Sequence, residues 1–228
     1  MTLSADEFKQ AAAEKALELV SDGMLLGLGS GSTAAFFVEG LGRLVADGLK
    51  VRGVPSSRAT AELAASLGIP IVTELVGEID LTVDGADEVD SALNLIKGRG
   101  GALFREKLVA ASSKRFVVVV DESKLVRELG VGVVPVEVLP FLWRSTAERI
   151  AALGVSLVVR GGEETPYVTD NGNLILDVTS EGGIKDPASF GAELKQLTGV
   201  VEHGLFVGMT DTVIAAGPDG ARAIGTGH

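Results

Sequence analysis

Two short segments concentrate charged side chains that could carry out acid–base chemistry on a small anionic ligand. The segment DGADEVD, residues 84–90, brings four carboxylates together, and KGRGGALFREK, residues 97–107, combines cations with a carboxylate at Glu106. Neighbouring carboxylates repel each other, which can raise the pKa of one of them so that it donates a proton. Cations in a flexible loop before a helix can hold an anion or stabilise a developing negative charge.

Each segment also has a plainer interpretation. DGADEVD could be a solvated acidic turn that caps a helix, or a divalent metal site, although its spacing does not fit an EF-hand loop. Glu106 could be an ordinary carboxylate near a helix N-terminus that pairs with a surface lysine. The two segments taken singly leave these alternatives open.

A glycine loop, LGLGSGSTA at residues 26–34, follows a short apolar run. It has no lysine, so it is not a P-loop, and Ser32 stands where the dinucleotide fingerprint needs its third glycine. Glycines still allow a close backbone approach, and amides at a helix N-terminus can bind phosphate without a cation. The loop therefore indicates a phosphate site, with an ordinary tight strand–helix turn as the alternative.

The elements around these segments predict an α/β fold with a doubly wound, mostly parallel, Rossmann-like sheet. Short apolar strands alternate with amphipathic helices from a capping box at Ser4–Glu7 to the strongly apolar RFVVVVDES at residues 115–123. The glycine loop, the acidic segment and the loop from Lys97 to Lys107 are each predicted at the end of a strand of this sheet, and Lys124 also follows a strand. Because the carboxyl ends of parallel strands share one edge, the loops are expected to converge on one crevice.

The pattern changes near residue 131, which predicts a second, smaller α+β domain of the ferredoxin-like kind. Its strands and helices follow the order β-α-β-β-β-α-β, with a hairpin turn at Asn171-Gly172. VVEHGLFVG, residues 200–208, is its last strand, and the tail is expected to rejoin the first sheet. We predict a catalytic domain over residues 1–130 plus 208–228, and the small domain over residues 131–207.

Composition excludes several functional classes. The 228 residues carry a net charge of −11 without a basic run, which disfavours nucleic acid and anionic membranes as partners. There is no cysteine and there are only two histidines, so a transition-metal site is not expected. The start, MTLSADEFKQ, lacks the features of a signal peptide, and no stretch is long enough to span a membrane. A cytoplasmic protein is the default expectation.

Four motifs in order, GLGSGSTA, DGADEVD, LIKGRGGALFREK and VVVVDESK, resemble the type A family of ribose-5-phosphate isomerases. VTDNGNLILDV and the closing GLF and IAAGPDG segments fit the same family, so the resemblance covers essentially the whole chain. It implies cofactor-free interconversion of D-ribose 5-phosphate and D-ribulose 5-phosphate through an enediolate, in the non-oxidative pentose phosphate pathway. It also implies a homo-oligomer, with a dimer favoured and the small domain as a contact surface.

The resemblance further implies roles for individual residues. Glu106 corresponds to the base, Asp84 and Asp87 to an acidic pair for ring opening and hydroxyl binding, and Lys97 to the lysine that polarises the reacting oxygens. The remaining implied substrate contacts are Ser30, Gly31, Ser32, Thr33, Gly85, Ala86, Gly98, Arg99, Gly100, Lys124 and Lys9. Two positions depart from the family: Ser30 replaces threonine, and Arg99 replaces a glycine of some members. Arg99 either adds a cation beside the substrate or points to solvent.

Three alternative functions can be weighed against the isomerase. A deaminase of amino-sugar phosphates would need a histidine near the acidic segment, and neither histidine lies in these motifs. A coenzyme A transferase would use its glutamate as a nucleophile and would usually have a longer chain. A non-catalytic sugar-phosphate sensor would be expected to lose the base and to carry a DNA-binding helix pair. The retained Glu106 and the acidic composition favour the isomerase.

Overall fold

The computed structural model describes residues 4–225. Its helices and strands follow in chain order: α1 (Ala5–Leu17), β1 (Leu25–Leu28), α2 (Ser32–Ala46), β2 (Arg52–Pro55), α3 (Arg58–Ser66), β3 (Leu81–Asp84), β4 (Glu88–Val89), β5 (Leu95–Ile96), α4 (Leu103–Ala111), β6 (Phe116–Asp121), β7 (Val134–Val138), α5 (Trp143–Ala151), β8 (Ser156–Val159), β9 (Leu174–Thr179), α6 (Pro187–Gln196), β10 (Val200–His203), β11 (Leu205–Phe206), β12 (Thr212–Gly217) and β13 (Gly220–Gly225). None of the described helices is both long and apolar enough to cross a lipid bilayer.

The chain divides into two compact units. Among the described residues, the first unit comprises 4–86, 105–125 and 209–225, and the second comprises 87–104 and 126–208. Residues 87–104, which the sequence assigns to the first domain, group with the second unit. The reason is strand pairing, because β4 pairs with β5 and β5 pairs with β11 in a small antiparallel sheet.

The first unit is built on a six-stranded sheet in the order β13-β12-β6-β3-β1-β2. Its strands pair in parallel except for β13, which returns antiparallel to β12. Every residue of β1, β3 and β6 is buried, as expected for parallel strands covered on both faces. The doubly wound sheet and the return of the tail to it are therefore confirmed.

The second unit contains a four-stranded antiparallel sheet in the order β10-β7-β9-β8. With α5 and α6 between strands, the chain order is β-α-β-β-α-β, so the ferredoxin-like α+β prediction is confirmed in outline. One predicted strand is missing among the described residues. Residues before the Asn171-Gly172 turn make only an isolated bridge, between Val168 and Leu174.

Two predicted boundaries were wrong. Helix α1 begins with the predicted capping box but ends at Leu17 rather than near Gly23, because tight turns bonding Leu19 to Ala16 and Val20 to Leu17 replace the helical pattern. The segment predicted as the last strand splits at Gly204 into β10 and β11. Gly204 bonds to Pro135 on one side and to Lys97 on the other, so the two halves belong to different sheets.

Candidate functional site

The carboxyl edge of the parallel sheet in the first unit collects the polar residues of three loops. The glycine loop follows β1, Ser56 and Ser57 follow β2, and Asp84 ends β3. From β1 the chain winds towards β2, whereas from β3 it winds towards β6, so the gap between β1 and β3 is the point where the winding reverses. Open α/β sheets bind ligands at such a switch point.

The glycine loop passes close to β3 and then starts α2. A side chain at Gly29 would overlap the Asp84 carboxylate, so only glycine allows this approach. Gly31 precedes the helix with φ +87°, in the left-handed region that favours glycine, and it has no side chain to cap the helix. The first-turn amides of α2, beginning at Ser32, are therefore available to an anion.

Asp84 links the glycine loop to β3. The residue is 1% exposed, and its Oδ1 accepts hydrogen bonds from the amide of Ser30 at 3.0 Å and from the amide of Gly85 at 2.7 Å. Gly85 lies next to Thr33: a Cβ atom built on Gly85 would be 3.8 Å from the Cβ of Thr33. Ser30, Thr33, Asp84 and Gly85 are therefore brought together within the first unit.

A group of hydroxyls behind the glycine loop was missed by the sequence analysis. The Ser30 and Ser56 hydroxyls lie 2.7 Å apart, and the Thr60 hydroxyl donates to the Gly29 carbonyl at 2.9 Å. Ser57 caps α3 and also contacts Thr60. The only sequence signal was the pair Ser56-Ser57 directly after a strand, which is where a sheet of this class places its binding loops.

Two of these residues, Ser57 and Thr60, line a pocket of about 250 Å³ in the first unit. Its lining combines two helix N-termini with apolar side chains: Gly29, Gly31, Ser32, Ala35, Val38, Ser57, Ala59, Thr60 and Leu63. The polar wall presents amides and hydroxyls, which suit a small anionic group better than a flat aromatic ring.

Two lysines predicted as substrate contacts, Lys124 and Lys9, belong to the same unit. Lys124 ends a short 3-10 helix, Glu122–Lys124, that continues directly from β6. Lys9 lies on α1, where its Nζ pairs with Asp6 at 2.9 Å. Lys124 thus follows the carboxyl end of a core strand as predicted, whereas Lys9 is engaged by a neighbour on its own helix.

Glu106 occupies the first turn of α4 and is 5% exposed. Burial of a glutamate side chain is uncommon in soluble proteins unless the carboxylate is partnered. The interpretation of Glu106 as a surface carboxylate is therefore wrong. Among the described residues, no group of three or more histidine, aspartate or glutamate side chains is gathered as a metal site.

In the second unit, Lys97 follows β5 and is 3% exposed. Its amide donates to the Gly204 carbonyl at 2.9 Å, and its Nζ lies 5.6 Å from the centroid of the Phe206 ring. A lysine is almost never buried to this extent without a specific interaction. Lys97 is therefore shielded from solvent, and its ammonium group lies beside an aromatic ring.

Asp87 and the loop after Lys97 are joined by the main chain of Arg99. The Asp87 amide donates to the Ile96 carbonyl at 2.8 Å, and its Oδ2 accepts from the Arg99 amide at 3.0 Å. The Arg99 side chain pairs with Glu88 at 2.8 Å, and Glu88 also accepts from the amide of Gly130 at 2.8 Å. From the sequence, Arg99 was expected either to lie beside the substrate or to point to solvent. The structure shows a third arrangement, in which the Arg99 side chain pairs with Glu88.

Comparison with known proteins gives one consistent result. The family model for ribose 5-phosphate isomerase A (phosphoriboisomerase A) matches residues 52–220. A ribose-5-phosphate isomerase A from Synechococcus sp. is 51% identical over 226 residues, which cover 97% of this chain and 98% of the relative. One from Oceanobacillus iheyensis is 50% identical over 216 residues, covering 94% of this chain and 96% of the relative.

Solved structures show the same likeness. The ribose 5-phosphate isomerase from Plasmodium falciparum superposes with a TM-score of 0.93 at 39% identity, covering 98% of this chain and all of that chain. A D-ribose-5-phosphate isomerase in complex with phospho-erythronic acid gives a TM-score of 0.94 at 39% identity, with the same coverage. The similarity therefore extends over both units and is not limited to the motifs.

Proposed function

Because the chain belongs to the ribose 5-phosphate isomerase A family and interconverts D-ribose 5-phosphate and D-ribulose 5-phosphate, we propose that Glu106 is its catalytic base. Aldose and ketose have the same composition, so the reaction needs only the movement of protons within the substrate. The base takes a proton from C2 of the open-chain aldose, which leaves an enediolate, and returns it to C1, while the hydroxyl proton of O2 moves to O1. The alternative of a non-catalytic sensor is not supported by the relatives found.

The observation that carries this proposal is the burial of Glu106 in the first turn of α4. Exclusion of water strengthens the interaction of a carboxylate with the carbon acid and prevents loss of the abstracted proton to solvent. The carboxylate is held by a helix rather than by a mobile loop, which restricts the positions from which it can reach a substrate carbon.

We propose that Lys97 stabilises the negative charge that develops on the enediolate. Its ammonium group is buried, so its field is screened less than that of a surface lysine. The glycine-rich loop that follows supplies main-chain amides at Gly98 and Gly100, whereas the Arg99 amide donates to Asp87. Asp87, which already accepts from that amide, contributes to ring opening and hydroxyl binding in the same proposal.

The phosphate end of the substrate is assigned to the glycine loop in the first unit. Ser30, Gly31, Ser32 and Thr33 offer hydroxyls and the amides of the first turn of α2. Asp84, with Gly85 and Ala86, holds sugar hydroxyls beside this loop. Lys124 is proposed as a further substrate contact and Lys9 as a phosphate contact, for which Lys9 must leave Asp6. The related structure with phospho-erythronic acid supports a site for a phosphorylated sugar acid.

The proposal is tested by the variant Glu106→Gln, which keeps the shape of the side chain but removes the base. Conversion of ribose 5-phosphate, measured with chelator and no added cofactor, should fall by about a thousand-fold. Calorimetric binding of the substrate should be retained. Glu39→Gln, an exposed change on α2, is the matched control and should keep wild-type turnover. Wild-type turnover in Glu106→Gln would place the base elsewhere.

We further propose that the enzyme is a homodimer formed through its second unit. Phe141, Leu142 and Val158 are 81%, 64% and 66% exposed, and a shallow cavity of about 500 Å³ lies between α5 and β8. Strand β8 is also at the edge of its sheet. Exposed apolar groups next to a free sheet edge are typical of an interaction surface. Sedimentation should give a dimer for the wild type and a monomer for Phe141→Asp.

The cytoplasm is our proposed location for this enzyme. The charged phosphate of the substrate opposes its passage through a bilayer, so the enzyme must share the compartment of its substrate. One relative, from Arabidopsis thaliana, is named as chloroplastic, which shows that the family is not confined to one compartment. Fractionation of the source cells, followed by the activity assay, would test the location.

A further inference from the structure

Arg160, at the end of β8 in the second unit, contacts the loop that follows Lys97. Its Nη1 donates to two successive carbonyls, those of Gly98 and Arg99, each at 3.0 Å. No feature of the sequence connects these positions, which are about sixty residues apart. A guanidinium that bridges two neighbouring carbonyls fixes the orientation of both peptide groups.

Asp177 on β9 holds the Arg160 guanidinium in place. Arg160 Nε donates to Asp177 Oδ2 at 2.9 Å, and its Nη2 pairs with the other carboxylate oxygen, so the contact is bidentate. The two side chains are 16% and 15% exposed. The amide of Arg160 also bonds to the Ile175 carbonyl at 2.9 Å, and the amide of Tyr167 bonds to the Arg160 carbonyl at 2.7 Å. Arg160 is therefore fixed at both its main chain and its side chain.

The orientation of the two peptide groups determines where their N–H groups point. In a trans peptide the C=O and N–H bonds point in opposite directions. The Gly98 carbonyl faces Arg160, and the amide of the same peptide group, at Arg99, donates to Asp87. The Arg99 carbonyl also faces Arg160, so the Gly100 N–H points away from Arg160. A methyl added at Gly100 would meet no atom within 4 Å, which leaves room for a substrate there.

We propose that Arg160, held by Asp177, is a positioning residue for the isomerisation, because it aims the Gly100 N–H and sets the path of the loop after Lys97. This inference rests on the substrate role proposed above for that loop. The positive charge of Arg160 is neutralised by Asp177, so its effect on the reaction is geometric and does not come from its field at the substrate. Without the bridge, the glycine loop can rotate its peptide groups and lose the alignment needed in the transition state.

The test compares Arg160→Met, which keeps an unbranched apolar side chain but removes the guanidinium, with Arg144→Met in the same unit. Arg144 also pairs with a carboxylate, that of Glu163, but both groups are about two-thirds exposed. We expect kcat of Arg160→Met to fall about 10- to 100-fold while KM changes less than about threefold. Arg144→Met should keep both constants. Melting curves establish that each variant is folded at the assay temperature.

Three further variants make the outcome decisive. Added guanidinium ion should restore kcat several-fold in Arg160→Ala, whereas Lys97→Ala should stay inactive under the same conditions. Asp177→Asn, which keeps the shape of the partner, should lower kcat in the same direction but by less. Wild-type kcat in Arg160→Met, or a loss that guanidinium does not relieve, would overturn the positioning role alone. Wild-type turnover in Lys97→Ala would overturn the role of the whole loop, and this inference with it.

Discussion

Two aspartates lie at opposite ends of β3, and their surroundings differ. Asp80, just before the strand, is at the amino edge of the parallel sheet, with a side chain 34% exposed. Its carboxylate accepts from Lys114 Nζ at 2.8 Å and from the Leu25 amide at 2.9 Å. Asp84, at the carboxyl edge, is 1% exposed, and its Oδ1 accepts from main-chain amides of the glycine loop and of Gly85.

Asp80 has a structural role because it joins two segments of the fold, whereas Asp84 belongs to a binding loop. Asp80 neutralises a lysine from the turn after α4, so its charge is balanced within the protein. Asp84 is oriented by amides on one oxygen, in a loop where glycines leave space for a ligand. Parallel sheets place their ligand sites at the carboxyl ends of the strands, and the four residues of β3 are enough to separate the two roles.

Of the changes at these two aspartates, Asp84→Asn is expected to have the largest effect. The amide oxygen can still accept from Ser30 and Gly85, but the side chain loses its charge and its ability to accept a proton. We expect kcat/KM for ribose 5-phosphate to fall about 100- to 1,000-fold with little change in melting temperature. Steady-state kinetics and a thermal melt measure the two quantities. If the melting temperature fell substantially together with kcat/KM, Asp84 would have a structural role like that of Asp80.

A smaller effect of the opposite type is expected from Asp80→Asn. The ion pair with Lys114 is lost, although the amide oxygen can still accept from Leu25. We expect the melting temperature to fall by about 2 °C because partly exposed ion pairs contribute little. The kinetic constants should stay at wild-type values, since Asp80 is at the opposite edge of the sheet from the binding loops. A tenfold change in kcat would contradict this division.

The smallest effect is the pH dependence of that stability difference. The hydrogen bond from Lys114 lowers the pKa of Asp80, and the same bond raises the pKa of Lys114. A lowered carboxyl pKa stabilises the fold above the unfolded pKa of about 3.9, and the stabilisation is lost as pH falls through the folded value. A raised lysine pKa stabilises below about 10.4, and that stabilisation is lost as pH rises through the folded value. Melts of both proteins should therefore converge at acidic and at alkaline pH, and a difference that persists at pH 2 would exclude this pair as its source.

Local signals in the sequence predicted most of the first sheet and its loops. Apolar runs such as residues 116–121 mark buried parallel strands, and glycines mark the close turn between β1 and α2. These signals depend on residues that are adjacent in the chain, so they can be recognised without knowing the fold. The glycine loop and the residues of the acidic segment were found in this way.

Contacts between distant segments could not be predicted in the same manner. Arg160 meets Asp177 because Val158 pairs with Asp177 across β8 and β9, and this register is not encoded by any single motif. Arg99 turns towards Glu88 because β4 and β5 pair in a small sheet of two-residue strands, which are too short to show a periodic pattern. Ser56 and Thr60 carry no charge or glycine signal, and their role depends on the neighbouring loop.

The order of the strands in the first sheet also bears on how the chain is made. Strand β12 pairs with β6, although the second unit is encoded between them, and β13 follows only after β12. Until residues 212–217 have been synthesised, the edge of β6 that pairs with β12 in the folded protein has no partner strand, and four of the six residues of β6 are valines. Such an edge can capture another nascent chain until the last strands emerge and cover it. The final fourteen described residues, 212–225, contain the two strands that cover this edge in the folded enzyme.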